Sequence, residues 1–576
     1  MSNKFSIYPL NVNPINLETL EKSYAQTFDE FEHQYNPFLI TKLQNYNPIY
    51  QKIFVLNKAN YNEVSLNHDK SMCDLFTVLD NKTKKTITRD VFIKFSPLLD
   101  PIRYMIGKYK ADDESIRLLP KLDSLYAKDE LQPHSKIIDP NNAAYTDGFF
   151  CFLTSKLAKE HGIMHGVEYY GSFLGIQEKY KMNVTDDLEY LNTSNFFNEN
   201  VNKLFAITKT DVPEYMNVGS RGNKNKIVIA DTDPHNNTVI SVEDLNNETD
   251  DLNNTETESQ ELVYQKSSPQ SSHTSTASSD NSKLNYSSDS DSGSDPGSDS
   301  ESDEESDSSS KWGTESSCKD NMDDENQDYA FIKNFPVQLI CTEKCEGTLD
   351  RLFITEKINK ENGASALFQI VMILITYQKA FHFTHNDLHT NNIMYDNTDL
   401  EFLYYKYNGK YYKVPTYGKL YKLIDFGRSI YKFNGKTFCS DSFATGGDAA
   451  TQYNCEPYMN ENKPRLEPNY SFDLCRLGCS IYDFIIDTDE NLDSFDELQK
   501  TIYRWCLDDS GKNILYKRNG EERYPNFKLY KMIARTVHNH NPEAQLEFDY
   551  FNQFLVDDHM CSTSIVMDLD MLPSYV

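Results

Sequence analysis

Glycine is missing from the first 106 residues of this 576-residue chain, and Gly107 is the first of 22. Any backbone in that stretch that approaches a ligand closely must do so with side chains attached. Long apolar runs are also missing. The longest, Leu367 to Ile375, is broken by Gln369 and is about half of the roughly 20 residues a membrane span requires, so it predicts a buried core helix. Basic side chains are scarce, with 57 Lys and Arg against 88 Asp and Glu and a formal charge of −31. Residues 241 to 330 hold 24 of the acids and 4 of the bases, so most of that charge is local and the remaining chain is mildly acidic. This balance predicts neither a nucleic-acid footprint nor attraction to an anionic membrane surface. Eleven cysteines are thinly spread, Met1 to Leu10 lack a signal-peptide pattern, and Ser2 stands where myristoylation needs glycine. Free thiols and a cytoplasmic setting are therefore expected.

What is present begins with short β-prone runs at Lys52 to Leu56, Leu75 to Leu79 and Asp90 to Phe95, separated by polar stretches such as Asn81 to Lys85. They predict a small antiparallel sheet. Ala143 to Lys159 carries Phe149, Phe152, Leu153 and Leu157 at helical spacing, and Val167 to Leu174 reads as a further strand. From about Asn223 to Asp328 the chain turns to Asn, Ser, Thr, Asp and Glu, which cannot bury a core, and disorder is expected there. Strand character returns at Phe335 to Cys341, followed by a helix over Ala364 to Phe381. The pairs Cys341/Cys345 and Cys475/Cys479 fall at a strand end and on a helix, without a matching histidine set, and read as core thiols rather than a metal site.

The most informative segment is Thr384-His385-Asn386-Asp387-Leu388-His389-Thr390-Asn391-Asn392-Ile393-Met394. It follows the apolar helix and has the form H-x-D-L-x-x-x-N. Thirty-three positions beyond Asn392, Leu423-Ile424-Asp425-Phe426-Gly427 feeds a strand into D-F-G. Ser471 to Cys479 contains Asp473 at the start of a helix, and Val91-Phe92-Ile93-Lys94 lies upstream in a strand. Between Asn392 and Asp425, Asn408-Gly409 flanked by aromatic and β-branched residues predicts a hairpin.

These four landmarks, in this order, resemble the eukaryotic-type protein kinase superfamily. Asn386, His389, the Tyr-rich hairpin and Lys463-Pro464-Arg465-Leu466-Glu467-Pro468 further resemble serine/threonine-protein kinases of large nucleocytoplasmic DNA viruses, of the mimivirus kind. The resemblance implies an α+β fold of two lobes. Its parts are an N-terminal extension (1–50), a small lobe (51–180), an insertion (181–334), a last strand with hinge (335–346) and a large helical lobe (347–576). It implies transfer of the γ-phosphate of Mg-ATP to Ser or Thr hydroxyls of protein substrates.

By the same resemblance Asp387 orients the attacking hydroxyl, Lys94 holds the α- and β-phosphates, and Asn392 and Asp425 offer hard oxygens to Mg²⁺. The adenine falls at Glu343-Lys344-Cys345, and Asp473 braces the loop before Asp387. Departures are equally definite. With no glycine before Lys94, a phosphate cover of the usual Gly-rich kind is excluded, and Asn57 to Asn67 is one replacement. Asp147 and Glu160 are the available acids for pairing Lys94, and Asp147 is preferred. Asn386 stands where regulated kinases carry Arg, so activation through a loop phosphate is not expected. The A-P-E motif is missing. A pseudokinase scaffold and a small-molecule phosphotransferase of the aminoglycoside or choline kinase type are the competing readings.

Overall fold

The computed structural model describes residues 7–11, 14–25, 35–109, 114–208, 328–487, 492–517, 519–561 and 565–576. The acidic tract expected to be disordered lies, apart from Asp328, outside the described residues. The fold is mixed α+β, with antiparallel sheets and helices, and is compatible with a kinase-like fold.

The largest sheet contains β1 (Ile40–Gln44), β2 (Val91–Pro97), β3 (Tyr169–Asn183), β4 (Phe205–Thr208) and β5 (Tyr329–Glu343). Its order is β1-β3-β5-β2, with β4 on the far half of β5, and each pairing is antiparallel. Lys94 lies opposite Ile340 in the β2/β5 register. Two strands come from outside the expected small-lobe span: Ile40 pairs with Gln177, and Phe205 pairs with Ile332. The expected strand at Lys52 to Leu56 does not form. Asn47 caps a short 3₁₀ helix over Pro48–Lys52, and Val55 is almost fully exposed, so no apolar face exists there to pair.

A separate three-stranded meander, Lys70–Met72, Thr77–Asp80 and Thr86–Thr88, precedes β2. Its tight turn at 73–76 is tied to the entry of β2, with Val91 N donating to Leu75 O and Arg89 N to Phe76 O. This hairpin therefore adjoins the start of the strand that carries Lys94. In the Asn57 to Asn67 stretch Asn60 Oδ1 accepts from Asn57 N, and Asn62 Oδ1 accepts from Asn45 N and Tyr46 N.

Helix α1 (Ala143–His161) is stopped by Gly162 in the left-handed region at φ 68°. Helix α2 (Gly363–Phe381) has 19 residues and only Lys379 escapes burial, which explains an apolar surface on every side. By length and composition it could cross a membrane, yet it is packed inside protein as expected for a core helix. Helices α3 (Phe472–Ile485) and α4 (Lys528–Thr536) follow, and α3 approaches the 497–505 helix at Gly478, where a Cβ would meet Trp505 at 2.9 Å.

The hairpin 402–407/410–415 turns on Asn408 (φ 50°) and Gly409 (φ 70°), as its sequence predicts. It does not widen the sheet beside the motif residues. That sheet is formed by 393–397 with 419–423 and 347–348, whereas the hairpin joins C-terminal strands at 555–556 and 566–568. The C-terminal segment, expected to be helical, thus supplies strand edges as well. The reason is local: Val566–Asp568 lies parallel to an otherwise open edge of 402–407 and buries Met567.

Candidate functional site

The helix before the H-x-D loop ends at His382, which takes φ 48° and turns the chain toward Thr384. A second reversal at Asn386 (φ 64°) would leave buried amides without partners. Asp473, fully buried at the start of α3, accepts from both: His385 N to Oδ2 and Asn386 N to Oδ1, each 2.8 Å. Burial raises the Asp473 pKa, opposed by His385 and by these amides. The bracing role expected of Asp473 is thus geometrically present. Asn386 is held on both sides, donating to Arg428 O at 3.0 Å and accepting from Tyr453 Oη at 2.8 Å. The position that regulated kinases give to a phosphate-binding Arg is therefore filled by neutral hydrogen bonds.

Asn392 donates through Nδ2 to the Asp387 carbonyl at 3.0 Å, closing the loop on itself. Its main-chain oxygen accepts from Ile424 N at 3.0 Å, and His385 Nε2–H donates to Ile424 O at 2.9 Å. The two motifs are therefore stitched together just before Asp425. Phe426 is fully buried among Phe150, Phe383 and His385, with ring centroids 4.7, 5.9 and 5.7 Å away. This aromatic anchor fixes where Asp425 emerges, at φ 61°.

Lys94 Nζ then meets two carboxylates, Asp147 Oδ2 at 2.8 Å and Asp425 Oδ1 at 2.9 Å. Asp147, on α1 and 2% exposed, also accepts Phe426 N through Oδ1 at 2.9 Å. One carboxylate therefore ties β2, α1 and the D-F-G segment. Burial disfavours the Lys94 charge, but the two acids outweigh it and raise the pKa. Asp425 is also buried against its charge, and Lys94 holds its pKa below the ordinary carboxylate value. Among the described residues no cluster of three or more His, Cys, Asp or Glu forms a metal cage. Asn392 and Asp425 nevertheless present an amide and a carboxylate oxygen, the hard donors that Mg²⁺ accepts alongside phosphate and water.

Asp387 is 24% exposed, with one hydrogen bond to Oδ1 and a cation near Oδ2. Tyr530 Oη, from α4, donates to Oδ1 at 2.7 Å, and Arg428 Nη1 lies 3.7 Å from Oδ2. Burial opposes the carboxylate, yet Arg428, Arg476 and the Tyr530 hydroxyl hold its pKa well below the usual range. Neighbouring His389 is pushed down to about 4 by burial, against the pull of Asp387, so it is neutral near pH 7. Arg428 is itself fixed by Asp448, with Nη2 to Oδ2 at 2.6 Å.

Glu343 and Cys345 lie where β5 leaves the sheet. Glu343 Oε1 accepts from Glu168 N at 2.8 Å and pairs with Lys422 Nζ at 2.5 Å, and Lys422 also meets Asp396 at 2.6 Å. Cys345 is buried. The structure brings Lys94 and Asp425 into contact and places Asp387 and Asn392 on one loop beside them, with Glu343 linked through the strand that leads to Asp425. Sequence reasoning missed Arg428, Asp448, Arg476, Lys422 and Tyr530. Arg428 and Lys422 adjoin the D-F-G segment and Arg476 lies within Ser471 to Cys479, but no local pattern marks Asp448 or Tyr530.

No family model matches the chain. Over 131 residues it is 30% identical to a serine/threonine-protein kinase haspin of Bos taurus, covering 22% of this chain and 16% of that protein. Over 90 residues it is 36% identical to a serine/threonine-protein kinase haspin of Mus musculus, covering 15% and 12%. The chain thus spans less than a fifth of the length of these curated relatives. The partial matches support a protein-kinase-like relationship, and nothing in them points to the viral kinases.

Proposed function

We propose that the chain is a protein kinase that transfers the γ-phosphate of Mg-ATP to Ser or Thr hydroxyls of protein substrates. The observation that carries this reading is the junction at Lys94. One lysine is held between an acid of α1 and the acid of D-F-G, beside a loop whose His385 and Asn386 amides are braced by Asp473 and which Asn392 closes on Asp387.

In this reading the five-stranded sheet with α1 takes the nucleotide, Glu343 to Cys345 is the hinge whose backbone meets adenine, and residues from 347 onward receive the protein substrate. Lys94 points a fixed positive charge at the α- and β-phosphates, and Asp147 keeps it there. Asn392 and Asp425 would hold Mg²⁺, which supplies charge neutralisation at the phosphate oxygens. Asp387, ionised at neutral pH, accepts the hydrogen bond of the attacking hydroxyl and aligns it. Arg428, locked to Asp448, does what a phosphate-bound arginine does elsewhere, so no loop phosphorylation is required to order this segment.

The test is transfer of labelled γ-phosphate from Mg-ATP to generic acidic and basic protein substrates. Asp387→Asn should lower kcat about 10²- to 10⁴-fold with little change in melting temperature. Lys94→Ala should also abolish measurable transfer. Undiminished activity in Asp387→Asn would sink the assignment. A second reading, a pseudokinase, is favoured by the glycine-free turn at 73–76 beside β2. It requires nucleotide-dependent stabilisation with no transfer to any acceptor.

A further inference from the structure

A hydroxyl already sits on the carboxylate that the kinase reading assigns to the acceptor hydroxyl. Tyr530 Oη donates to Asp387 Oδ1 at 2.7 Å, and it accepts from Arg476 Nε at 2.9 Å, so its position is set by one anion and one cation. Its ring stacks on Phe527 at 5.5 Å and is faced by the Arg476 and Arg428 guanidinium groups at 5.0 and 5.7 Å. Arg428 Nη1 stands near the other carboxylate oxygen. A general base must be within hydrogen-bond reach of the proton it accepts, and here Oδ1 of Asp387 is taken by Tyr530 while Arg428 Nη1 stands 3.7 Å from Oδ2.

We infer that Tyr530 is a gating residue for the acceptor site: its hydroxyl occupies the place of the substrate hydroxyl on Asp387, and a protein substrate must displace it to be phosphorylated. The inference rests on the kinase reading. The contact is charge-assisted on both sides, while the phenol carries no charge, so it can leave Asp387 without stranding an ion. Such an equilibrium acts as a tax on substrate affinity: if about nine molecules in ten are closed, the apparent affinity for the acceptor falls about tenfold. ATP binds on the Lys94 side and does not feel it.

The experiment is steady-state transfer from Mg-ATP to the same acidic and basic protein substrates, by the full chain and by Tyr530→Phe. Phenylalanine keeps the ring against Phe527 and the two arginines and removes only the hydroxyl, and melting temperature checks that both proteins are folded. The expected result is a KM for protein substrate lowered about tenfold, a KM for ATP within twofold of the parent, and kcat not reduced. ATP hydrolysis without protein substrate should also rise, because water gains access to Asp387. Transfer with equal protein KM in the two proteins would overturn the gating role alone. A fall in kcat at unchanged KM would also overturn it, making Tyr530 a positioning residue for Asp387. No transfer by either folded protein would overturn the kinase reading and this inference with it.

Discussion

The segment from Thr384 to Gly427 and the meander from Lys70 to Thr88 border the same lysine-bearing strand, and they differ in how their polar groups are tied, although Lys70 in the meander also reaches Glu168 at 2.6 Å. In the first, buried polar groups are tied to partners far away in sequence: Asp473 on two amides, Asn386 to Arg428 and Tyr453, Asp425 to Lys94. In the second, the strands are short, Thr86 to Thr88 is exposed, and the turn is held by near neighbours such as Asp74 accepting from Phe76 N. On the proposed reading the first segment aligns a hydroxyl and a phosphate and needs fixed geometry. The meander carries none of the candidate groups.

The comparison can be broken most forcefully at Asp473. Asp473→Ala should leave two buried amides without acceptors and lower stability by about 3 to 5 kcal/mol, seen as a large fall in the denaturant midpoint together with loss of transfer. Asp147→Asn keeps the shape but removes the charge opposite Lys94. Transfer should fall at least about tenfold, and a melting temperature changed by more than a few degrees would show that the acid serves folding more than alignment.

Acid should act on buried histidines rather than on Asp387. Burial pushes His68, His165 and His389 down to about 4, so the unfolded chain, with histidines near 6.5, takes up protons that the folded chain refuses. The stability held above pH 6.5 should be lost as pH falls toward about 4. Asp387, whose pKa is lowered, stays ionised through that window, so a denaturation titration should show the loss before any protonation of Asp387. If His165→Gln removed none of it, the histidine account would fail.

Phe76→Gly in the meander should change the KM for ATP by less than about threefold, because the turn is pinned through its backbone to Arg89 and Val91. A larger change would place the meander under the same constraint as the Thr384 to Gly427 segment. The smallest effect is expected at Gly409→Ala. A Cβ there meets nothing within 4 Å, so only the positive φ opposes it, at about 1 kcal/mol, with transfer unaltered.

How much could be read from the chain follows from the range of each interaction. The Asn408-Gly409 turn, α1 with its Phe149, Phe152, Leu153 and Leu157 spacing, and the apolar α2 were legible because their causes lie within a few residues. The short run at Lys52 to Leu56 was misread, since β propensity is decided by a neighbouring strand that is absent there. The hairpin's partners were missed for the same reason: the edge of 402–407 is filled from 566–568, and nothing at either place announces the other.

The site divides the same way. The sequence by itself marked the candidate side chains, because Asp387 with Asn392 and Asp425 with Phe426 are set by spacing along one loop and one turn. It also excluded glycine from everything before Lys94. Only the tertiary structure decided that Lys94 takes Asp147, 53 positions on, that Arg428 takes Asp448, and that Tyr530 reaches Asp387 across 143 positions. Pairings of buried charges answer to desolvation, which exists only once distant elements have closed around them.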